Sequence, residues 1–597
     1  MSRIAGLVVL AVLMALVAAF PAGAQVPEPP KTPTVEGRGG SAATVDPLAT
    51  QTAVEVLRSG GNAVDAAVAA AGVLGVTEPF SCGIGGGGFM VIYDAKRRKV
   101  DTIDSREAAP HGLAPNAFEQ YTADFQAARV SGLSVGVPGT VRGWEAALKR
   151  YGTRSLRSLL RPGERIARKG FVVDQTFSDQ VALNQAVFAD FTSSRETYLT
   201  PEGTAPAVGS THRNPDMAET YERIAKNPDR FYRGGIARDI ARTVQQPPKT
   251  PESTRVVAPG SMTTRDLARY RAIQRKPTKV DYRGLEVYGM GPPSSGGSTV
   301  GEALNILEGF SPLGASDEEK LHRYLEASRL AYADRNEFVG DPDYVDVPLR
   351  GLLSDRFADE RRSLIGDTAL PVQEVPGDPW KYDHGHGPGG GKASPDDKGR
   401  STTHLTVADR WGNVVSYTFT IEQIGGSGIV VPDRGFLLNN ELTDFNFTLD
   451  PDGSTPANYP AGGKRPRSSM APTIVFDHGR PAVALGSPGG ATIITTVLQV
   501  LVNHLDFELG LPEAVAAPRA SQRNSATTPA EQAFIDRYGD ILQGTEPGHY
   551  GHTLGPAPAP GELGAVEAIR FLPDGRQQAV AEPTRRGGGS AMVVHPG

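Results

Sequence analysis

Arg400-Ser401-Thr402-Thr403-His404-Leu405-Thr406 is the stretch on which the reading of this chain turns. It stands where a glycine- and charge-rich segment gives way to a strand pattern. If the Ser401–Thr402 bond is cut, a threonine at the start of a strand becomes a new N-terminus. It then carries a nucleophilic hydroxyl and its own base, the freed α-amino group, on one residue. Thr403, Leu405 and Val407, and then Val415, Tyr417 and Phe419, alternate with polar residues as half-buried strands do. Asp409-Arg410-Trp411-Gly412-Asn413 is the turn between them. With Trp411 as midpoint, paired positions sum to 822, so Thr420 falls opposite Thr402.

Working outward, Ala482 to Leu485 reads as a short strand, Gly486 to Gly490 as a turn and Ala491 to Leu505 as an apolar helix. The glycine N–H groups of Gly489 and Gly490 at a helix N-terminus make either an anion nest, which an acyl-transfer enzyme uses as an oxyanion hole, or a plain glycine turn. Ser468-Ser469 follows Lys464-Arg465-Pro466-Arg467 and is either a pair of donors to a carboxylate or a solvated pair. Glu441 and Asp444 follow an expected apolar strand, Gly435 to Leu438; they suit an ammonium group or form a polar turn. Arg106, between Ser105 and Glu107 at a strand end, either grips a carboxylate with both arms of its fork or is a surface arginine.

The N-terminal half opens with an expected poorly ordered stretch, residues 25–40. Asp46-Pro47 begins a helix that Gly60-Gly61 ends, and Asn62 caps a second from Ala63 to about Leu74. Both faces of the second are apolar, so it should be buried. Strands around Val91 to Tyr93 and over Lys99 to Asp104 flank a turn at Ala95 to Arg98. Helices follow at Val141 to Tyr151 and Asp317 to Asp334, the latter opened by a capping box from Ser316 to Glu319. Gly83 to Gly88 has GxGxxG spacing, but with a helix before it and a strand after it, the reverse of a dinucleotide site. Gly132-Leu133-Ser134-Val135-Gly136 fits GxSxG, yet Val137-Pro138-Gly139 stands where a nucleophile elbow needs a helix. Residues 371–400 read as a mobile exposed linker, with His384 and His386 solvated rather than metal-bound.

The chain has 597 residues, a net charge of -6 and a hydrophobic share of 39%. That supports one or more globular cores, and charged residues spread along the chain under a net negative charge argue against nucleic acid. Residues 1–24 read as a cleaved secretory signal: Arg3, then the apolar run Ile4 to Phe20, then Ala22-Gly23-Ala24. A secreted or periplasmic protein with no membrane attachment after signal removal is expected. Cys82, the single cysteine, reads as a small buried residue.

Together these motifs resemble the γ-glutamyltranspeptidase family of N-terminal nucleophile hydrolases. The resemblance runs from about residue 38 to the C-terminus. It includes Gly60 to Ala67, Glu78 to Ser81, Gly83 to Phe89, Ser105-Arg106-Glu107, Val137-Pro138-Gly139, Thr402-Thr403-His404, Leu437 to Asn440, Ser468-Ser469-Met470, Gly486 to Gly490 and Ala517-Pro518-Arg519. The resemblance implies a four-layer αββα sandwich built jointly by two pieces of one precursor: a large subunit, 25–401, and a small catalytic subunit, 402–597. It implies that Thr402 attacks the γ-amide of a glutathione-like donor, that Thr420 orients it, and that Gly489 and Gly490 hold the oxyanion. Arg106, Ser468 and Ser469 would bind the donor α-carboxylate, and Glu441 and Asp444 its α-ammonium. Water or an amino acid or peptide would take the acyl group. No cofactor or metal is implied.

Two departures stand out. Glu422 stands where the family often has an asparagine two residues after the orienting threonine, and is expected near the amino end of the donor. The segment from Asp444 to Ser468 is short where other members carry a long lid, which implies a more open acceptor site. The competing readings are a glutaryl or β-lactam acylase of the same superfamily and an inactive exported binding protein.

Overall fold

The computed structural model describes residues 26–122, 124–370, 373–383, 401–557 and 563–597. The expected signal sequence, residues 1–24, lies outside the described residues, as do His384 and His386. Edge to edge, one hydrogen-bonded path of strands runs Ile273–Arg275, Lys99–Asp104, Gly87–Asp94, Val414–Thr420, Thr403–Asp409, Thr34–Thr44, Gln577–Ala581, Glu567–Phe571, Arg480–Gly486, Thr473–Asp477, Leu285–Gly289 and Thr278–Tyr282. Ser590–Pro596 also pairs with Thr34–Thr44.

The path doubles back on itself. Ser416 Oγ donates to Leu485 O at 2.9 Å and Thr406 Oγ1 to Glu567 O at 2.9 Å, so the half containing Thr403–Asp409 and Val414–Thr420 lies face to face with the half containing Arg480–Gly486 and Glu567–Phe571. Alternation along the strands sends side chains to opposite cores. Met90, Ile92, Leu405, Val407, Val415 and Tyr417 pack among the helices Pro47–Arg58, Ala63–Thr77 and Thr140–Tyr151. Phe89, Val91 and Tyr93 face the other half-sheet, which the helices Gly296–Glu308, Asp317–Phe338 and Ile493–Leu505 cover from outside. Helix, sheet, sheet, helix is the four-layer arrangement the resemblance implied.

Ala63–Thr77 is buried throughout, as its two apolar faces require, and a capping box between Asn62 and Asp65 starts it. Cys82 is buried, its thiol donates to Glu78 O, and burial pushes its pKa well above the ordinary thiol value. Ser134 is a loop residue whose hydroxyl donates to Arg129 O and Ser131 O.

Four local expectations need correction. Residues 34–40 are not poorly ordered: they form the first strand. Its glycines are there because a Cβ on Gly37 would stand 2.2 Å from His595 O. Part of the 371–400 segment is docked: Pro379 is buried, and Gly377 N donates to Asp334 Oδ1 at 2.5 Å. Gly435 to Leu438 forms only an isolated bridge, Val430 with Leu437, because Leu438 N and O are spent on Ile429 O and Ser427 N in a tight loop. The box at Ser316 is half made: Ser316 Oγ accepts from Glu319 N, but the Glu319 carboxylate accepts from Ala315 N instead.

Candidate active site

The turn Asp409–Asn413 fixes the hairpin register. Asp409 Oδ1 accepts from Trp411 N at 2.8 Å and Asn413 N at 3.0 Å, an Asx-type closure that leaves no freedom to slip. Val414 then pairs with Ala408 and Phe419 with Thr403, the register expected from the sequence. Just past the last pair, Thr402 Oγ1 lies 3.3 Å from Thr420 Oγ1 and within hydrogen-bond reach of the carbonyl oxygen of Ser401. Thr402 is buried, and Arg586 Nη1 donates to its carbonyl at 3.0 Å. Thr420 Oγ1 accepts from Thr402 Oγ1 and also from Glu422 N at 2.8 Å, which fixes the orienting hydroxyl in place.

Glycines allow this closeness. A Cβ on Gly86 would stand 1.9 Å from Thr420 O, and one on Gly85 1.9 Å from Leu437 O, so the GxGxxG run is a cradle for two chain segments rather than for a phosphate. Gly486 does the same for His404, whose Cε1 a Cβ there would approach to 2.3 Å. His404 bonds Thr418 Oγ1 and Thr406 Oγ1, and burial lowers its pKa to about 3. It is a neutral packing residue, not a base for Thr402.

A narrow cleft opens beside the two threonines. Ser401, Thr402, Thr420, Arg106, Glu422, Glu441, Asp444, Ser468, Ser469 and Gly490 all line it, so the structure brings together nearly every residue the sequence singled out. Gly489 stands behind the lining. Its φ of 136° and the φ of 57° at Gly490 turn the chain into the short 3-10 turn Gly490–Thr492 ahead of the helix Ile493–Leu505.

The charges are arranged less simply than expected. Arg106 does not stand apart from the carboxylates: its guanidinium is ion-paired with both Glu441 and Asp444, and also donates to Pro466 O and Arg467 O. Asn440 Nδ2 donates to Glu422, whose φ of 80° bends the chain so that its side chain joins the same cleft. Burial, and then the nearby Asp444, raise the Glu422 pKa well above the carboxylate range. Glu107, behind Arg106, has its pKa raised to about 8 by burial, and neither carboxyl oxygen has a hydrogen-bond partner. Among the described residues no group of His, Cys, Asp and Glu could hold a metal ion.

Two contributors, Arg335 and Arg586, escaped sequence reasoning, and a third, Asn440, was read only as part of a motif with no role of its own. Arg335 donates to Ser469 Oγ at 2.7 Å, Asn440 secures Glu422, and Arg586 secures Thr402. The only local signal for Arg586 is a basic pair before Gly587-Gly588-Gly589. Nothing local marks Arg335, whose serine partner is 134 residues away.

The chain matches the family model described as Gamma-glutamyltranspeptidase over residues 49–592. It is 40% identical to a glutathione hydrolase proenzyme of Bacillus subtilis strain 168, across 92% of this chain and 91% of that protein. It is 38% identical to the glutathione hydrolase proenzyme of Escherichia coli K12, across 84% and 85%. The crystal structure of a cephalosporin acylase from Bacillus halodurans superposes with a TM-score of 0.80 at 29% identity, covering 95% of this chain and 98% of that one.

Proposed function

Starting from a chain that belongs to the γ-glutamyltranspeptidase family, we propose that it is a self-processing γ-glutamyl hydrolase and transferase whose nucleophile is Thr402. The observation that carries the proposal is the placing of one hydroxyl: Thr402 Oγ1 lies against the Ser401 carbonyl and 3.3 Å from Thr420 Oγ1, in a cleft that holds both signs of charge.

In the precursor, Thr402 Oγ1 attacks the Ser401 carbonyl carbon. As the C–N bond breaks, the proton passes to the leaving nitrogen and an ester forms. Water cleaves the ester, leaving Ser401 with a carboxylate and Thr402 with a free amine. The two pieces, 25–401 and 402–597, stay together because strands from both share each half of the sheet. In the mature enzyme the amine, whose pKa lies near ~8 in unperturbed chains, accepts the hydroxyl proton as Oγ1 attacks a γ-glutamyl carbonyl. Thr420 steadies the nucleophile, and the N–H groups of the Gly489-Gly490 turn receive the oxyanion. The leaving amine takes the proton, and water or an amino acid then accepts the acyl group.

A donor's α-carboxylate and α-ammonium suit this cleft because its own charges are of both signs. Ser468, Ser469 and Arg106 serve the carboxylate; Glu441, Asp444 and Glu422 serve the ammonium. Export through residues 1–24 belongs to the same proposal; among the described residues no helix is long and apolar enough to cross a membrane.

A second reading, an acylase for glutaryl or β-lactam side chains, has in its favour the TM-score of 0.80 to the cephalosporin acylase and 34% identity, across 90% of this chain, to an acylase proenzyme of Pseudomonas sp. strain SE83. A glutaryl group carries the carboxylate but no ammonium, and would add a negative charge beside Arg106, already ion-paired with Glu441 and Asp444, without bringing a cation in exchange. Steady-state kinetics with γ-glutamyl- and glutaryl-p-nitroanilide separate the two. Preference for the γ-glutamyl donor is expected; preference for the glutaryl donor would transfer the chain to the second reading.

A further inference from the structure

The two serines of the cleft are held differently from ordinary surface hydroxyls. Met470 N donates to Ser468 Oγ at 3.1 Å, and Arg335 Nη2 donates to Ser469 Oγ at 2.7 Å. Each oxygen already accepts, and among the described residues neither hydroxyl donates to the protein. A serine whose oxygen is engaged by a donor keeps its proton for an acceptor, and here the open direction is the cleft that both serines line.

Arg335 itself is fixed. It lies in the last turn of the helix Asp317–Phe338 and is 1% exposed. Its Nε donates to Ser295 Oγ at 2.8 Å, its Nη1 to Asn336 Oδ1 at 2.8 Å, and its guanidinium stacks over Tyr332. Ser295 Oγ in turn donates to Ser468 O at 2.7 Å. One guanidinium therefore sets the Ser469 hydroxyl directly and braces the Ser468 backbone through Ser295. A permanent cation one hydroxyl away from the cleft also strengthens that hydroxyl as a donor to an anion.

We infer that Arg335 is a positioning residue for recognition of the donor carboxylate, acting through Ser469. This rests on the donor assignment above only in part, since it concerns any carboxylate at that end of the substrate. It makes recognition of the anion a joint property of the two pieces of the chain: Arg335 and Ser295 come from residues before the expected cleavage point, Ser468 and Ser469 from residues after it.

The test uses the full processed enzyme and two donors that differ by the carboxylate, γ-glutamyl-p-nitroanilide and 4-aminobutyryl-p-nitroanilide. Arg335→Gln should raise KM for the first by about ten- to a hundredfold, with kcat within about twofold, the scale of one lost charge-assisted hydrogen bond. The kcat/KM for the second should be unchanged. Arg335→Lys should recover part of the loss. Ser469→Ala should show the same selective defect, and adding Arg335→Gln to it should cost little more. If Arg335→Gln does not fold, Arg335→Lys alone and combined with Ser469→Ala carries the same comparison. Equal losses on both donors, a loss in kcat alone, or fully additive effects would overturn the inference. Should the enzyme prefer glutaryl donors, the γ-glutamyl assignment fails, but Arg335 is then read on glutaryl- against butyryl-p-nitroanilide.

Discussion

Two buried arrays of arginines and carboxylates meet at Thr402, one facing its hydroxyl and the other holding its carbonyl. In the cleft, Arg106 is shared between Glu441 and Asp444, with Glu422 beside them. Behind the strand, Arg519 pairs with Glu582 at 2.9 Å, Arg585 bonds Glu531 at 2.6 Å and Glu582 at 2.9 Å, and Arg586 donates to Thr402 O. The residue types are alike and both arrays are largely desolvated. What differs is access. The cleft array lines an opening, and under the proposed function its ion pairs exchange an internal partner for a charged ligand group. None of the rear array lines that cleft; its pairs tie the C-terminal segment to the strand that carries Thr402. A buried arginine is therefore not evidence of substrate binding until its surroundings are known.

The sharpest way to break this comparison is to remove one arginine from each side. Arg106→Ala strands Glu441 and Asp444 without their cation and deletes a donor contact. Its kcat/KM should fall by about 10²–10³, mostly through KM, in line with a broken buried pair. Arg586→Ala, measured on the cleaved form, should lower kcat by about tenfold or more with KM nearly unchanged, because it loosens the nucleophile and not the donor. Equal effects on KM from both variants would erase the distinction.

A smaller change sharpens the cleft side. Glu422→Asn should raise KM for γ-glutamyl-p-nitroanilide by about tenfold and leave simple acyl amides unaffected. Unchanged kinetics with both donor types would remove Glu422 from the amino end.

The smallest effect expected is on stability. Glu107 is buried with both oxygens unpartnered, and its pKa is raised to about 8 from an ordinary 4.5. The folded state therefore binds more protons than the unfolded state between those values. Its contribution is fully present below about pH 4.5 and is lost as pH rises through about 8. Glu107→Gln should flatten the fall in thermal midpoint across that window; a steeper fall in the variant would contradict the assignment.

The hairpin was legible in the sequence because its turn is self-specifying: Asp409 and Asn413 leave one register, and that register alone brings Thr420 to Thr402. The glycine runs were legible as points of close approach, though not what they approach. The strand at Thr34–Thr44 was missed because glycine there serves contact with neighbouring backbone, while glycine-rich composition reads as disorder. Arg335 was missed for a different reason. The apolar pattern of its helix fades near Asp334, and the value of the residue lies in a hydroxyl contributed by a distant loop. Likewise, the union of Arg106 with Glu441 and Asp444 depends on segments 335 and 338 residues apart, which no local pattern reports.

The most direct test of the account is an intact-mass measurement on the purified protein, with Thr402→Ala alongside. The account predicts two fragments from the unaltered chain, the smaller beginning at Thr402, and a single uncut chain from the variant. An unaltered chain that stays whole on long incubation, or that is cut equally in Thr402→Ala, would contradict it.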